Sequence, residues 1–340
     1  PEELLHRLRG DGGRPMLWGN DPEERLRDHL AERRAAYAKI PHHIDTTSRS
    51  PEQVAEDVVA LYAAQPTTWR VRTPTGDYAV HLYAGGLSAI GALLAAHGVG
   101  PKVVVVSDEH VWPVYGERLW RGLQEAGLKA HRVVLPPGEE HKNLATLSTL
   151  YDRFAEAGLD RSGAVVALGG GVVTDTAGLA AATFMRGVHL VVAPTTLLAM
   201  VDAGIGGKVA VDHPRGKNLI GAFVEPLLVM LDPDVLATLP QVERLSGLAE
   251  VLKTGIIADP ALFAALERGD GEPDRRWLVE RAIQVKIDVV EEDPYERGRR
   301  AVLNLGHTFA HAMERLSGYR LHHGLAVSVG VAAAAHLAEI

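Results

Sequence analysis

From about residue 85 the chain alternates short, uninterrupted apolar runs with amphipathic stretches. The runs are VVVVS (103–107), HRVVL (131–135), AVVALGGG (164–171), HLVVAPTT (189–196) and LVMLD (228–232). A run with no polar break reads as a strand covered on both faces. Helical periodicity falls between the runs, around 112–126 and near 143–157. This alternation predicts an α/β domain with a mostly parallel sheet and helices on both faces. Beyond about residue 240 the strand pattern stops and helical patterns continue to the end, which predicts an all-α second part.

Upstream, residues 1–65 are charged and helical in pattern. Asp21-Pro22 has the form of a cap and first-turn proline ahead of Leu26, Leu30, Ala35 and Tyr37. Ser50-Pro51 repeats the signal ahead of Val54, Val58, Val59 and Leu61, which share one helix face. AAQPTT (63–68) has linker composition, and RVRTPTGDYAVHLYAGG turns at PTG as a hairpin. The expected divisions are 1–65, 66–238 and 239–340, with no internal repeat.

Composition narrows the chemistry. The 340 residues are 46% hydrophobic but only 5% aromatic, with 35 glycines, which suits close helix–strand packing. Lys and Arg total 35 against 43 Asp and Glu, a net charge of −8, so nucleic acid gains no general attraction. With no Cys, disulfides, thiolate metal sites and Cys nucleophiles are excluded, and the 16 His and the carboxylates remain as metal ligands. The apolar stretch Leu325 to Ala338 is 14 residues long, short of the roughly 20 a membrane span needs. No signal-peptide core is visible, so a cytoplasmic location is expected. A start at Pro1 and an end in HLAEI read as a fragment at both ends.

Three stretches could carry chemistry. Leu168-GGG-VVTDTAG leaves a strand and enters a helix; its glycines let backbone approach a pyrophosphate, with Asp175 and Thr195-Thr196 nearby on the ligand edge of the sheet. DAGIGGKVAVDHPRGKNLIGAF (202–223) reads as a flexible loop bringing Lys208 and Lys217, with Asn218, to one anion. Glu250 and Lys253 share a helix face, His307 and His311 share another, and LHHG adds His322 and His323. That set can hold zinc, but spacing alone leaves open which His are ligands. Arg186, Lys253, Lys286 and Arg300 add cations that fit a phosphorylated or carboxylated substrate.

In this order, GGGVVTDTAGLAAATFMRG, VAPTTLLAMVDAGIGGKVAVDHPRGKNLIGAF, LSGLAEVLKTGII, RAVLNLGHTFAHAME and LHHGLAVSVGV resemble 3-dehydroquinate synthase, a sugar-phosphate cyclase, from about residue 70 onward. The resemblance implies an NAD-binding α/β domain, a helical metal domain and an active site between them. It implies metal ligands Glu250, His307 and His323, for zinc or cobalt, with His311 as a catalytic neighbour. NAD contacts carry over to Asp108, Glu139, Lys142, Gly170, Gly171, Asp175, Thr195, Thr196, Lys208, Lys217 and Thr238. Substrate contacts carry over to Arg186, Asp202, Lys208, Asn218, Lys253, Lys286, Arg300 and Asn304. The implied partner is a phosphorylated sugar acid, and the implied assembly a homodimer.

Residues 1–65 are similar to the C-terminal part of shikimate kinase, with Arg14 and Arg33 at its shikimate-contacting arginines. The phosphate-binding GxxxxGK[ST] loop is absent from the chain, so no kinase activity is expected of this piece. A kinase–synthase fusion favours the shikimate-pathway cyclase. Competing functions are a cyclase acting on sedoheptulose 7-phosphate, a metal-dependent alcohol dehydrogenase, and a degenerate interaction module. Thr174 stands where the family carries Gly, crowding the dinucleotide turn. Leu325 stands where it carries Glu, loosening the surroundings of His323, and a late family lysine falls beyond residue 340.

Overall fold

The structure is a computed structural model that describes residues 22–37, 43–269 and 273–339. The chain divides between Gln65 and Pro66 into two compact units. Asp21 and Arg14 lie outside the described residues.

The first unit holds α1 (Pro22–Tyr37) and α2 (Pro51–Ala64). Ser50 and Gln53 close a reciprocal capping box at the start of α2. The Gln53 N–H donates to Ser50 Oγ at 3.2 Å, and the Ser50 N–H donates to Gln53 Oε1 at 2.9 Å. Val58 and Val59 stay exposed while Val54 and Leu61 are half-buried, so the apolar face of this helix is only partly covered within the described part of the unit. Arg33 is exposed on α1 and its guanidinium reaches the Tyr37 hydroxyl.

The second unit opens with the expected hairpin, β1 (Thr67–Arg72) antiparallel to β2 (Asp77–Leu82). The strands that follow are β3 (Lys102–Asp108), β4 (Lys129–Leu135), β5 (Ala164–Gly169), β6 (His189–Pro194), β7 (Lys208–His213), β8 (Gly216–Phe223) and β9 (Leu228–Leu231). Seven of them form one sheet in the order β1-β2-β9-β6-β5-β3-β4, parallel except for β1. Consecutive residues of a strand point to opposite faces, and every residue of β5 and β9 is buried, so both faces are covered. The helices between these strands are α3 (Ile90–Ala96), α4 (Glu117–Glu125), α5 (Leu144–Glu156) and α6 (Gly171–Thr183).

One expectation is overturned here. Residues 208–223 are not a flexible loop but the two-stranded hairpin β7–β8. Val209 and Val211 alternate inward and are buried, and that apolar face holds the ribbon against the domain core.

The helical part comprises α7 (Gln241–Ala258), α8 (Pro260–Arg268), α9 (Arg275–Glu292), α10 (His307–Leu316) and α11 (His323–Leu337). Two close approaches bind these helices. A Cβ on Gly324 would lie 1.9 Å from the Ser246 carbonyl oxygen, so α11 starts in contact with α7. A Cβ on Gly330 would lie 2.1 Å from the Gly306 carbonyl, so α11 also presses on the entry to α10. Ala310, Ala326, Val327 and Val331 fill the small core between α10 and α11. The first residues of α10 and α11 are thereby brought beside the middle of α7.

Candidate active site

Those three places carry Glu250, His307 and His323. Among the described residues they are the one group of His and acidic side chains whose ligand atoms all lie within 4.8 Å of one another. Glu250 is 1% exposed; its Oε1 lies 4.0 Å from His307 Nε2 and 3.6 Å from His323 Nε2. Neither carboxylate oxygen has a hydrogen bond of good geometry, although Lys253, one turn on, forms an ion pair with Oε2. Two imidazoles and a buried, under-satisfied carboxylate fit a divalent cation with an open position for substrate. His311, 5.4 Å from the His307 ring and 6.3 Å from the His323 ring, stands beside this set. The close trio therefore takes one His from the helical pair and one from LHHG.

Each imidazole has an acceptor near its other nitrogen. His307 Nδ1 lies 3.3 Å from the Leu305 carbonyl. His323 Nδ1 lies 3.4 Å from Glu314 Oε1, so Leu325 does not leave His323 without a carboxylate. Burial works against charge on His323, but the flanking Glu250 and Glu314 carboxylates raise its imidazole to about 9. A proton and a divalent cation thus compete for one ring. His322 points elsewhere, to Glu243 at 3.3 Å.

A second cluster gathers at the carboxyl ends of the parallel strands, where α/β sheets bind ligands. Gly170 precedes α6, whose first turn has no side-chain cap, and Gly171 faces open space. Such a terminus offers N–H groups to an anion. Thr195, beyond β6, is buried with its hydroxyl unpartnered, while Thr196 accepts from the Ala199 N–H at 3.1 Å. Lys142 is buried and donates at 2.6 Å to both Asp175 and Asn218 Oδ1. Thr174 is turned into its own helix, its hydroxyl donating to the Gly171 carbonyl at 3.2 Å. Asp108 caps a turn by accepting from the His110 and Val111 N–H groups, each at 2.8 Å. The hydroxyls of Thr238 and Tyr115 lie 2.5 Å apart, a contact the sequence gives no sign of.

Lys208 and Lys217 do not face one anion together. Lys208, paired across the hairpin with Phe223, lies about 13 Å along the strands from the turn beside Lys217. Lys208 pairs with Glu296, which also accepts from Asn304 Nδ2 at 2.7 Å. Lys217 reaches Glu139 at 3.0 Å and Glu314 at 3.3 Å. In extended backbone the two side chains are held apart, which the loop reading missed.

The remaining cations lie deeper. Lys286 forms an ion pair with Asp202, and Lys253 adds to the field that holds the Asp202 carboxyl far below its usual range against burial. Arg300 is 1% exposed and donates to the Gly206 carbonyl at 3.1 Å and the Pro294 carbonyl at 2.6 Å. Arg186 is the exception. It is exposed on a left-handed turn with Met185 and has no hydrogen bond or ion pair among the described residues.

Residues 132–246 match the model described as 3-dehydroquinate synthase N-terminal, 247–340 its C-terminal counterpart, and 1–63 that of shikimate kinase. The chain is 47% identical over 282 residues to a 3-dehydroquinate synthase of Synechocystis, covering 80% of this chain and 78% of that protein. Among solved structures it resembles 2-epi-5-epi-valiolone synthase from Streptomyces hygroscopicus with NAD+ and Zn2+ bound (TM-score 0.69, 33% identity, 78% of this chain and 75% of that one). It also resembles 2-deoxy-scyllo-inosose synthase complexed with carbaglucose-6-phosphate, NAD+ and Co2+ (TM-score 0.70, 26% identity, 78% and 75% covered). The chain belongs to the 3-dehydroquinate synthase family.

Proposed function

We propose that the protein converts 3-deoxy-D-arabino-heptulosonate 7-phosphate to 3-dehydroquinate and phosphate. The observation that carries this is the Glu250–His307–His323 trio beside the buried cations Lys253, Lys286 and Arg300. Glu250, His307 and His323 would hold a zinc or cobalt ion, which would supply a Lewis acid for substrate hydroxyls. NAD held at the Gly170–Gly171 turn would supply a reversible hydride acceptor, so that a C–H beside a transiently oxidised carbinol would become acidic enough to lose.

The chain's own groups do the rest. Lys253 keeps the Glu250 carboxylate charged and leaves Oε1 free for the ion. Lys286, Arg300, Lys208, Asn218 and Asn304 bind the anionic and hydroxyl groups of the sugar acid, with Asp202 and Glu296 holding two of those cations in place. His311, outside the ligand set, takes a proton from a substrate hydroxyl. Asp108, Glu139, Lys142, Asp175, Thr195, Thr196, Lys217 and Thr238 surround the dinucleotide. Arg186 contributes only once its exposed guanidinium is brought to an anion.

Further parts of the reading are that residues 66–238 bind NAD and 239–340 the metal, that residues 1–65 phosphorylate nothing, and that the protein works in the cytoplasm as a homodimer without nucleic-acid or membrane partners. Among the described residues no helix is long and apolar enough to cross a membrane. The test is phosphate release with catalytic NAD and zinc. Release from the heptulosonate phosphate, without net NADH, is expected; release only from sedoheptulose 7-phosphate, or stoichiometric NADH, overturns the assignment.

A further inference from the structure

Glu314 belongs neither to the metal trio nor to any group the sequence singled out. It is nonetheless 1% exposed, on the face of α10 that carries His307 and His311 at positions i, i+4 and i+7. A carboxylate that far from water needs partners of opposite charge or hydrogen-bond donors. It has two, one from each side: His323 Nδ1 at 3.4 Å and Lys217 Nζ at 3.3 Å from the same Oε1. Lys217 is steadied in turn by Glu139 at 3.0 Å and by the Tyr319 ring, whose centroid lies 4.8 Å from Nζ.

We propose that Glu314 is a positioning residue: it fixes the His323 ring through Nδ1 so that Nε2 is the nitrogen turned toward Glu250, and it joins that ligand to Lys217 of the dinucleotide cluster. An imidazole binds a cation through one nitrogen, and the acceptor at the other decides which nitrogen keeps the proton. Glu314 stands near Nδ1 and accepts from it, which leaves Nε2, 3.6 Å from Glu250 Oε1, as the nitrogen presented to a cation that displaces its proton. His307 achieves the same with a backbone carbonyl, a neutral acceptor that side-chain substitution does not remove. His323 depends on a side chain, and Lys217 meets that side chain from the other side. The metal centre and the β8 strand are thus mechanically linked through a single carboxylate oxygen.

This inference rests on the trio being a metal site, and the experiment separates the two ideas. Full-length wild type, Glu314→Gln, Glu314→Ala, Lys217→Met and the Gln/Met double variant are titrated with zinc against a competing chelator, and with cobalt followed by its visible spectrum. Circular dichroism and the unfolding temperature of the metal-free forms check the fold. Zinc affinity is expected to fall about 10- to 100-fold in both Glu314 variants. It should fall less in Lys217→Met, and no further when Lys217→Met is added to Glu314→Gln, because both act through one contact. The cobalt spectrum should shift in Glu314→Gln. Folded Glu314→Gln with wild-type zinc affinity and an unchanged cobalt spectrum overturns the proposal. So does a lowered metal-free unfolding temperature with unchanged affinity, the mark of a purely structural ion pair. Wild type that binds neither metal overturns the metal assignment and this inference together. If Glu314→Ala does not fold, the shape-preserving Gln variant decides.

Discussion

The Lys142 ammonium sits 2.6 Å from the Asp175 carboxylate, tying the second turn of α6 to the segment ahead of α5 where little water reaches. Burial acts against the charge on each partner. The neighbouring carboxylates nevertheless raise the Lys142 ammonium above its ordinary value, whereas the Asp175 carboxyl stays raised by burial despite the lysine. Removing one partner strands the other. Lys142→Met should lower stability by about 3–5 kcal/mol, while the Lys142→Met/Asp175→Asn double variant should recover much of that loss. Denaturant unfolding of the single and double variants measures this; equal losses in both would contradict it.

Gly324 admits α11 to the side of α7, and no larger residue fits while the Ser246 carbonyl stays where it is. Gly324→Ala should cost about 1–3 kcal/mol by overpacking and reduce zinc affinity by displacing His323. Gly76→Ala is the control, since a Cβ there meets nothing within 4 Å. Thermal unfolding and zinc titration of the two variants should separate cleanly.

Asp259 ends α7 and opens α8. Its Oδ1 accepts from the Leu262 N–H at 3.0 Å, and Arg281 grips both oxygens at 2.6 and 2.7 Å. Burial alone would raise this carboxyl, but the Arg281 hydrogen bonds and the Leu262 N–H hold it below its ordinary value. A depressed carboxyl contributes stability above its unfolded pKa of about 3.9 and loses it as pH falls through the folded value. Asp259→Asn keeps the cap and removes the charge. With Arg281 partly exposed, the loss at neutral pH should be about 0.5–1 kcal/mol. The gap between variant and wild type should be constant above about pH 5 and close below pH 4. A gap independent of pH would show that the charge contributes nothing.

His323 and His322 are neighbours in sequence with opposite surroundings: one faces the buried Glu250, the other a half-buried Glu243. His323→Ala should abolish stoichiometric zinc, and His322→Ala should retain it. Metal content after gel filtration distinguishes them, and equal loss in both would refute the ligand assignment.

The parallel strands were legible because an apolar run buried on both faces has no other economical reading, as in VVVVS and AVVALG. The glycine turn into α6 was legible for a similarly local reason. The hairpin β7–β8 was not: its inward positions are only Val209 and Val211, diluted by glycines and charges, and a two-stranded ribbon is stable only on a surface that other segments build. The Lys208–Glu296 and Arg300–Gly206 contacts join positions 88 and 94 residues apart, a separation at which helical or strand period carries no information.

The metal site divides along the same line. Residue order alone determined that Glu250 lies on a helix, that His307 and His311 share a face, and that two more His follow, since those facts depend on a 3.6-residue repeat within one element. Which imidazoles meet Glu250, and that Glu314 and Lys217 stand behind His323, was decided only when Gly324 and Gly330 let α11 close on α7 and on the start of α10. Periodicity orders side chains within an element; the approach of separate elements is set by packing across the whole unit.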